Sequence, residues 1–180
     1  MEHISKSFGG AKALDDVSFD LRAGEVHALM GANGAGKSTL MKVLAGVYMP
    51  DSGKITHHGR VVHIKACVAD AQKDGVAMVF QELNILPHLS VLENIFIANE
   101  ITKNGIYDWK AMRKRAKEVM GEVGIDLNLD TRAGNLPVAT QQMIEITRAL
   151  NLNSDIIIFD EPTSSLSMTE TESLFELIGR

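Results

Sequence analysis

The stretch GANGAGKST, residues Gly31–Thr39, decides the fold that this sequence predicts. The residues before it, Glu25–Met30, have the apolar composition of a buried β-strand, and those after it, Leu40–Val47, have helical spacing. A strand, a glycine-rich loop and a helix in this order form the context of a phosphate-binding loop. A chance match of a glycine turn to this pattern is expected on the order of once in a hundred such chains. We therefore predict nucleotide binding.

Each part of this loop has a chemical role. Glycines let the backbone turn tightly and present its N–H groups to phosphate oxygens, and the following helix adds its positive N-terminal end. Lys37 supplies a charge for the β- and γ-phosphates, and Ser38 supplies a hydroxyl for Mg²⁺. The predicted nucleotide ligands are Gly31, Asn33, Gly34, Gly36, Lys37, Ser38 and Thr39.

The composition is that of an ordinary soluble domain, with 180 residues, 45% of them apolar and 23% charged. A net charge of −5 argues against a dedicated nucleic-acid binder, so no nucleic-acid partner is expected. The longest apolar runs, such as Ile156–Phe159, are too short to span a bilayer, and the first residues lack a signal-peptide pattern. The lone Cys67 and the histidines near it fit no usual zinc spacing, so a zinc site is not favoured. Cys67 is instead predicted to be a reduced thiol that fills apolar space.

A second motif follows the apolar run Ile156–Phe159, which is predicted to be a buried parallel strand. Asp160 then emerges at the carboxyl end of this strand, where ligands of open α/β sheets bind, and suits Mg²⁺ coordination through water. Glu161 can hold a water for attack on the γ-phosphate, and Pro162 ends the strand. By themselves, acidic residues at the end of a strand are weak evidence of a nucleotide site. Together with a phosphate-binding loop in the same sheet, they are strong evidence.

Gln81 ends another predicted buried strand, Val76–Phe80. Its amide could ligate Mg²⁺, hold the attacking water or contact a moving loop, and by itself it is equally typical of an exposed polar residue. The predicted catalytic residues are therefore Glu161 and Gln81, and the predicted metal ligands are Ser38, Gln81 and Asp160.

Helices are predicted between Ser90 and Leu150. Ser90 and Glu93 fit a capping box, and Asp108 can cap the next helix. Elsewhere, Val17–Arg22 alternates as a half-buried strand does, and Thr169–Ile178 is predicted to be a final helix. The apolar face of the helix after Asp108 comprises Met112, Ala116, Val119, Met120 and Val123.

In this order, these motifs resemble the ATP-binding subunits of ABC transporters over nearly the whole chain. Gln81 matches the Q-loop glutamine, and Leu136–Leu150 lies where the family keeps its signature sequence and the following helix. Pro162–Ser167 is similar to the D-loop, and Phe8, otherwise a core aromatic, fits the residue that stacks on adenine. Val79–Asn84 is among the stretches that look like the bacterial monosaccharide importers for ribose, galactose, arabinose and xylose.

The resemblance implies an α/β P-loop NTPase core with a parallel sheet, a small antiparallel β subdomain and an inserted helical subdomain. Residues 1–89 and 151–180 would form the nucleotide-binding core, and residues 90–150 the helical subdomain. ATP and Mg²⁺ would lie between this domain and a second ABC ATPase domain, either a fused half or a dimer mate. The implied partners are transmembrane permease subunits and, indirectly, a periplasmic sugar-binding protein, with this chain peripheral on the cytoplasmic face of the membrane.

One departure from the family concerns its signature, Leu-Ser-Gly-Gly-Gln, where this chain has Leu136–Thr140. In the family, that serine and its neighbouring N–H groups contact the γ-phosphate bound by the opposite domain. Pro137 removes a hydroxyl and an N–H, and Val138 and Ala139 restrict the backbone, so slow turnover is expected. Ser167 replaces the usual D-loop aspartate, from which weaker coupling between paired sites is expected.

A second departure is that the sequence ends at Arg180, before the family's switch histidine and last core strands. An open apolar edge beside Ile156–Phe159 would favour aggregation, so a truncated, poorly soluble or loosely packed chain is expected. Two alternatives stay open: a remnant that binds nucleotide with little turnover, and a soluble ABC protein acting on ribosomes or DNA. The acidic balance argues against the latter.

Overall fold

A computed structural model describes residues 1–62, 67–163 and 166–179 of the chain. The residues form two compact units, Met1–Val76 and the chain from Ala77 onward. No helix among the described residues is both long enough and apolar enough to cross a membrane.

The first unit contains a four-stranded antiparallel sheet of order β2-β1-β3-β4. Its described residues also include two helices, α1 and α2, and residues 63–66 lie outside the described part. The elements are β1 (Glu2–Phe8), β2 (Ala11–Val17), α1 (Lys37–Leu44), β3 (Ser52–His57), β4 (Arg60–Val62) and α2 (Val68–Lys73). This sheet is the predicted small antiparallel subdomain.

The second strand of this sheet lies earlier than predicted. Gly9 and Gly10 have positive φ angles of 54° and 88° and close a hairpin that pairs Phe8 with Ala11. The strand that follows this turn is β2, which ends at Val17, and beyond it, among the described residues, only Phe19 exchanges backbone hydrogen bonds with Met1, at 3.0 and 2.7 Å. The prediction of a strand at Val17–Arg22 is therefore wrong, because the alternation there lacks the turn that sets a hairpin register.

The prediction of a buried strand at Glu25–Met30 is also wrong. The described residues there have no strand assignment, and Val26 and Met30 are 70% and 87% exposed. Glu25 instead makes local contacts, accepting a hydrogen bond from Arg22 N–H at 2.9 Å and contacting His27 Nδ1 at 3.0 Å. These hydrogen bonds lower the pKa of the Glu25 carboxyl. Apolar composition makes a strand only where a neighbouring strand pairs with it.

The second unit combines a small sheet with helices. β5 (Val76–Val79) and β8 (Ile156–Phe159) form a two-stranded sheet. Asp160 N–H, just after β8, donates to Val79 C=O at the end of β5 at 3.0 Å, so the carboxyl ends of the two strands meet, as in a parallel pair. The elements are β5 (Val76–Val79), α3 (Val91–Phe96), β6 (Thr102–Lys103), β7 (Ile106–Tyr107), α4 (Trp109–Val123), α5 (Val138–Asn151), β8 (Ile156–Phe159) and α6 (Met168–Ile178).

Two helices, α3 and α4, start where the sequence predicts. Ser90 Oγ accepts from Glu93 N–H at 3.2 Å while Ser90 N–H donates to Glu93 Oε2 at 2.8 Å, so the capping box is complete. Asp108 Oδ1 accepts from Ala111 N–H at 2.9 Å and caps α4. All five predicted core residues of α4 are buried: Met112, Ala116, Val119, Met120 and Val123. Met112, Ala116 and Met120 pack with α3 and α5 in one apolar cluster, and Val123 packs with β5 and α6 in a second.

Candidate nucleotide-binding site

The glycine loop has the backbone that a phosphate cradle needs. Gly34 and Gly36 have φ angles of 81° and 89°, and Ala35 N–H donates to Ala32 C=O at 3.1 Å to close the turn. A Cβ at Gly36 would lie 2.5 Å from Ala13 O, in backbone that cannot yield easily. Close approach to β2 and a left-handed φ therefore both require glycine at this position.

Lys37 is the first residue of α1, with Gly36 as its N-cap. Its Nζ donates to Gly31 O at 2.8 Å and Ala32 O at 3.0 Å, so the ammonium group is folded back onto the loop. Ser38 and Thr39 follow in the first helical turn, where helix N–H groups lack intrahelical acceptors. A cation, a helix N-terminus and a glycine loop thus meet at one place, which suits a polyanion such as a nucleotide phosphate chain.

Phe8 is at the end of β1 with 43% of its surface exposed, so it is no core aromatic. Its ring meets that of Tyr48 edge-on, with the centroids 5.0 Å apart, and Lys6 Nζ lies 5.5 Å from the Phe8 centroid. The exposed ring, braced by its neighbours, offers a surface on which a planar base can stack. Tyr48 was not singled out from the sequence, because only the fold brings it to Phe8.

In the second unit, the ends of β5 and β8 bring two predicted residues together. Gln81 Nε2 donates to Glu161 Oε2 at 3.0 Å, and Asp160 N–H donates to Val79 C=O at 3.0 Å. Glu161 has a φ of 52°, a strained conformation for a residue other than glycine. Such strain concentrates at functional sites, where surrounding structure holds it in place. The two proposed catalytic side chains therefore share a hydrogen bond.

The predicted residues are divided between the units. Phe8 and the glycine loop, with Asn33, Lys37 and Ser38, belong to the first unit, whereas Gln81, Asp160 and Glu161 belong to the second.

The segment that stands where the signature would be begins α5. Pro137 is the N-cap, with φ −55° and ψ 151°, and it makes no side-chain cap hydrogen bond. Gln141 holds this end from inside the helix, since its N–H donates to Pro137 C=O at 3.0 Å and its Nε2 donates to Leu136 C=O at 2.8 Å. Val138 is 54% exposed. The helix start is formed, but it lacks a hydroxyl.

The segment predicted to resemble the D-loop, Pro162–Ser167, is only partly described, because Ser164 and Ser165 lie outside the described residues. Ser167, which stands in place of the family's aspartate, is the N-cap of α6 in a second capping box. Its N–H donates to Glu170 Oε2 at 2.8 Å, and its hydroxyl oxygen accepts from Glu170 N–H at 3.4 Å. Ser167 hydrogen bonds lower the pKa of the Glu170 carboxyl. This serine therefore has a local structural role that the sequence comparison with the family motif did not reveal.

Comparison with known proteins gives a consistent picture. The ABC transporter profile matches residues 14–164. The chain is 49% identical over 178 residues to the putative ribose/galactose/methyl galactoside import ATP-binding protein 1 of Agrobacterium fabrum, covering 99% of this chain and 35% of that protein. It is 51% identical over 183 residues to the ribose import ATP-binding protein RbsA of Shouchella clausii, covering 99% of this chain and 36% of that protein. The chain thus spans about a third of the length of these relatives.

Solved structures share the fold. The ADP conformation of MJ1267, an ATP-binding cassette of an ABC transporter, has a TM-score of 0.83 and 30% identity, and covers 99% of this chain and 74% of its own. The dimeric structure of MJ0796, a bacterial ABC transporter cassette, has a TM-score of 0.84 and 25% identity, and covers 98% of this chain and 79% of its own. The α/β architecture is therefore that of an ATP-binding cassette.

Proposed function

The chain belongs to the ABC transporter family, and from that membership we propose that it binds ATP with Mg²⁺ and hydrolyses it to power sugar import. The observation that carries this proposal is the position of Lys37 Nζ, held 2.8 Å from Gly31 O and 3.0 Å from Ala32 O over the glycine loop. Phosphate oxygens are stronger partners for an ammonium group than carbonyl oxygens are. Entry of a nucleotide would therefore exchange these contacts for better ones.

The residues divide the work by their chemistry. Lys37 and the N–H groups of the glycine loop would hold the phosphates, and Phe8 would stack on adenine. Glu161 would orient the attacking water and accept its proton. The loop ligands are Gly31, Asn33, Gly34, Gly36, Ser38 and Thr39.

The predicted metal ligands fit Mg²⁺. Ser38, Asp160 and Gln81 offer a hydroxyl, a carboxylate and an amide oxygen, which are the hard oxygen donors that this ion prefers. Gln81 uses its amide nitrogen toward Glu161, so the oxygen is the atom proposed for the metal. When bound, Mg²⁺ neutralises charge that develops on the phosphates.

We further propose the organisation and partners of the whole protein. Residues 1–89 and 151–180 would form the nucleotide-binding core and residues 90–150 the helical subdomain, a division supported by the shared apolar cluster of α3, α4 and α5. The partners would be a second ABC ATPase domain, permease subunits in the membrane and, through them, a periplasmic sugar-binding protein. The import proteins to which the chain is similar, and the dimeric cassette, support these partners and a place on the cytoplasmic face of the membrane.

Nucleotide titration of the full chain tests this proposal. We expect saturable binding of a fluorescent ATP analogue that unlabelled ATP displaces, together with Mg²⁺-dependent release of phosphate. Saturable binding without phosphate release would favour the binding-only remnant, which Pro137 makes the second candidate. Absence of nucleotide binding would overturn both. Salt-sensitive binding of RNA or DNA instead of ATP would favour the non-transport alternative.

Replacing Pro137 by serine is expected to restore two groups at the start of α5. The hydroxyl would cap the helix and raise stability by about 1 kcal/mol, because serine is a preferred N-cap residue. The hydroxyl and the regained N–H would also donate to the γ-phosphate of the nucleotide bound by a second ATPase domain. Release of inorganic phosphate by the two domains together should therefore rise at least about tenfold. Thermal denaturation and steady-state phosphate release measure the two effects.

The control for this variant is Pro137→Ala, which restores the backbone N–H without the hydroxyl. A rise in melting temperature for Pro137→Ser with no gain in phosphate release would show that Pro137 is not what slows turnover.

A further inference from the structure

The segment after β5, Gln81–Leu86, is held by side chains at alternate residues. Asn84 N–H donates to Glu145 Oε2 at 3.4 Å, and Asn84 C=O accepts from Arg148 Nη1 at 2.9 Å. Both backbone polar groups of Asn84 are therefore taken by α5, in a segment that belongs to no strand or helix.

Leu86 is held in the same way, but by α3. Its N–H donates to Asn94 Oδ1 at 2.9 Å, and its C=O accepts from Asn94 Nδ2 at 3.0 Å. Asn94 is fully buried and also donates to Ser90 C=O at 3.0 Å, so the amide is well satisfied. The segment is thus held at two points. We call the contacts of Asn94 with Leu86 the neutral clasp, and those of Glu145 and Arg148 with Asn84 the charged clasp.

In the charged clasp, the carboxylate is buried and the guanidinium is partly buried. Glu145 is 1% exposed, and Arg148 Nη2 lies 3.3 Å from Glu145 Oε1. Burial raises the pKa of the Glu145 carboxyl and lowers that of the Arg148 guanidinium, although each partner attracts the other. Burying two charges disfavours both, and apolar residues of similar volume often replace such a pair without loss of stability. Stability alone therefore does not explain this ion pair.

A role for the pair follows from what lies at the other end of the segment. Two residues separate Asn84 from Gln81, whose side chain donates to Glu161 at 3.0 Å. A chain this short transmits the position of Asn84 to Gln81, because the three steps between their Cα atoms span at most about 11 Å even when extended.

We propose that Glu145 and Arg148 are positioning residues, which hold Asn84 so that Gln81 reaches Glu161. The pair couples α5, whose first residues stand where the family signature would be, to the proposed catalytic glutamate. The effect on catalysis rests on the proposed function, whereas the effect on the Gln81 side chain does not.

The test variant is the double substitution Glu145→Met with Arg148→Met, which removes the clasp without leaving one buried charge unpaired. Hydrogen exchange of the full chain should become at least about tenfold faster at the Asn84 amide and stay unchanged at Leu86, which Asn94 still holds. The side-chain amide resonance of Gln81 should move toward the position of a free glutamine. Arg148→Lys alone keeps a cation that can donate to Asn84 C=O, and should retain most of the wild-type resonance position.

The matched control is Arg113→Met, which breaks the exposed ion pair between Arg113 on α4 and Asp130 and leaves the segment untouched. In the ATPase assay, the double variant should lower kcat about tenfold with KM within about twofold of wild type, since it disturbs the contact of Gln81 with Glu161 and leaves the glycine loop and Phe8, which would bind ATP, unchanged. An unmoved Gln81 resonance, or an equal shift in the Arg113→Met control, would overturn the proposal. Should the wild-type chain bind no nucleotide, the proposed function fails while the resonance result still decides the clasp.

Discussion

Lys37→Ala is expected to weaken the binding of Mg-ATP by about a hundredfold or more. The ammonium group would make at least two charge-assisted hydrogen bonds to phosphate oxygens, each contributing about 1.5–3 kcal/mol, and every 1.4 kcal/mol is about a factor of ten in affinity. The substitution also leaves Gly31 O and Ala32 O without the donor that now satisfies them. Titration with a fluorescent ATP analogue measures the affinity directly.

Lys42→Ala is the matched control for this experiment. Lys42 lies in the last turn of the same helix, α1, so the variant removes the same charge from the same element but outside the loop. We expect its affinity for ATP to stay within about twofold of wild type, since a charge in the last turn of α1, away from the loop, makes no contact with the ligand and is screened by salt. Equal loss in both variants would mean that general charge attraction, and not the loop, binds the nucleotide. Full affinity in Lys37→Ala would refute the site.

The features that sequence predicted well are those set by neighbours along the chain. The capping box at Ser90 and the cap at Asp108 each form between residues three positions apart, and the buried face of α4 follows from helical periodicity alone. The glycine loop is also local, since Gly36 both starts α1 and takes a left-handed φ. Each signal contains all the residues that form the element.

The failures share the opposite cause. Glu25–Met30 has strand composition but no paired strand among the described residues, and the side chains of Val26 and Met30 stay exposed. Glu145 and Arg148 resemble an ordinary exposed pair on a helix, since charge spacing along α5 does not reveal that the fold buries them. Ser167 shows the same limit for motif comparison, because a substitution that departs from the family pattern completes a capping box here.

The second large effect is expected from Glu161→Gln, which should reduce ATP hydrolysis by about a factor of 10² to 10⁴. The amide keeps an oxygen that can accept from Gln81 Nε2, now 3.0 Å from Glu161 Oε2, so the arrangement at the strand ends should persist. What is lost is the carboxylate that would take a proton from the attacking water. Nucleotide affinity should stay near the wild-type value, because Glu161 is not proposed to bind the phosphates. Phosphate release and analogue titration on the same preparation separate the two effects.

The neighbouring acid provides the control. Glu82→Gln removes the same charge from an exposed residue next to Gln81 and should leave hydrolysis unchanged. The strained φ of 52° at Glu161 makes a second comparison useful, because Glu161→Gly would relieve the strain while removing the carboxylate. Glycine should therefore raise thermal stability and still abolish turnover, which separates the backbone role of this position from its chemical one. If Glu161→Gln releases phosphate as fast as wild type, the chain holds nucleotide without using this residue, and the binding-only alternative is favoured.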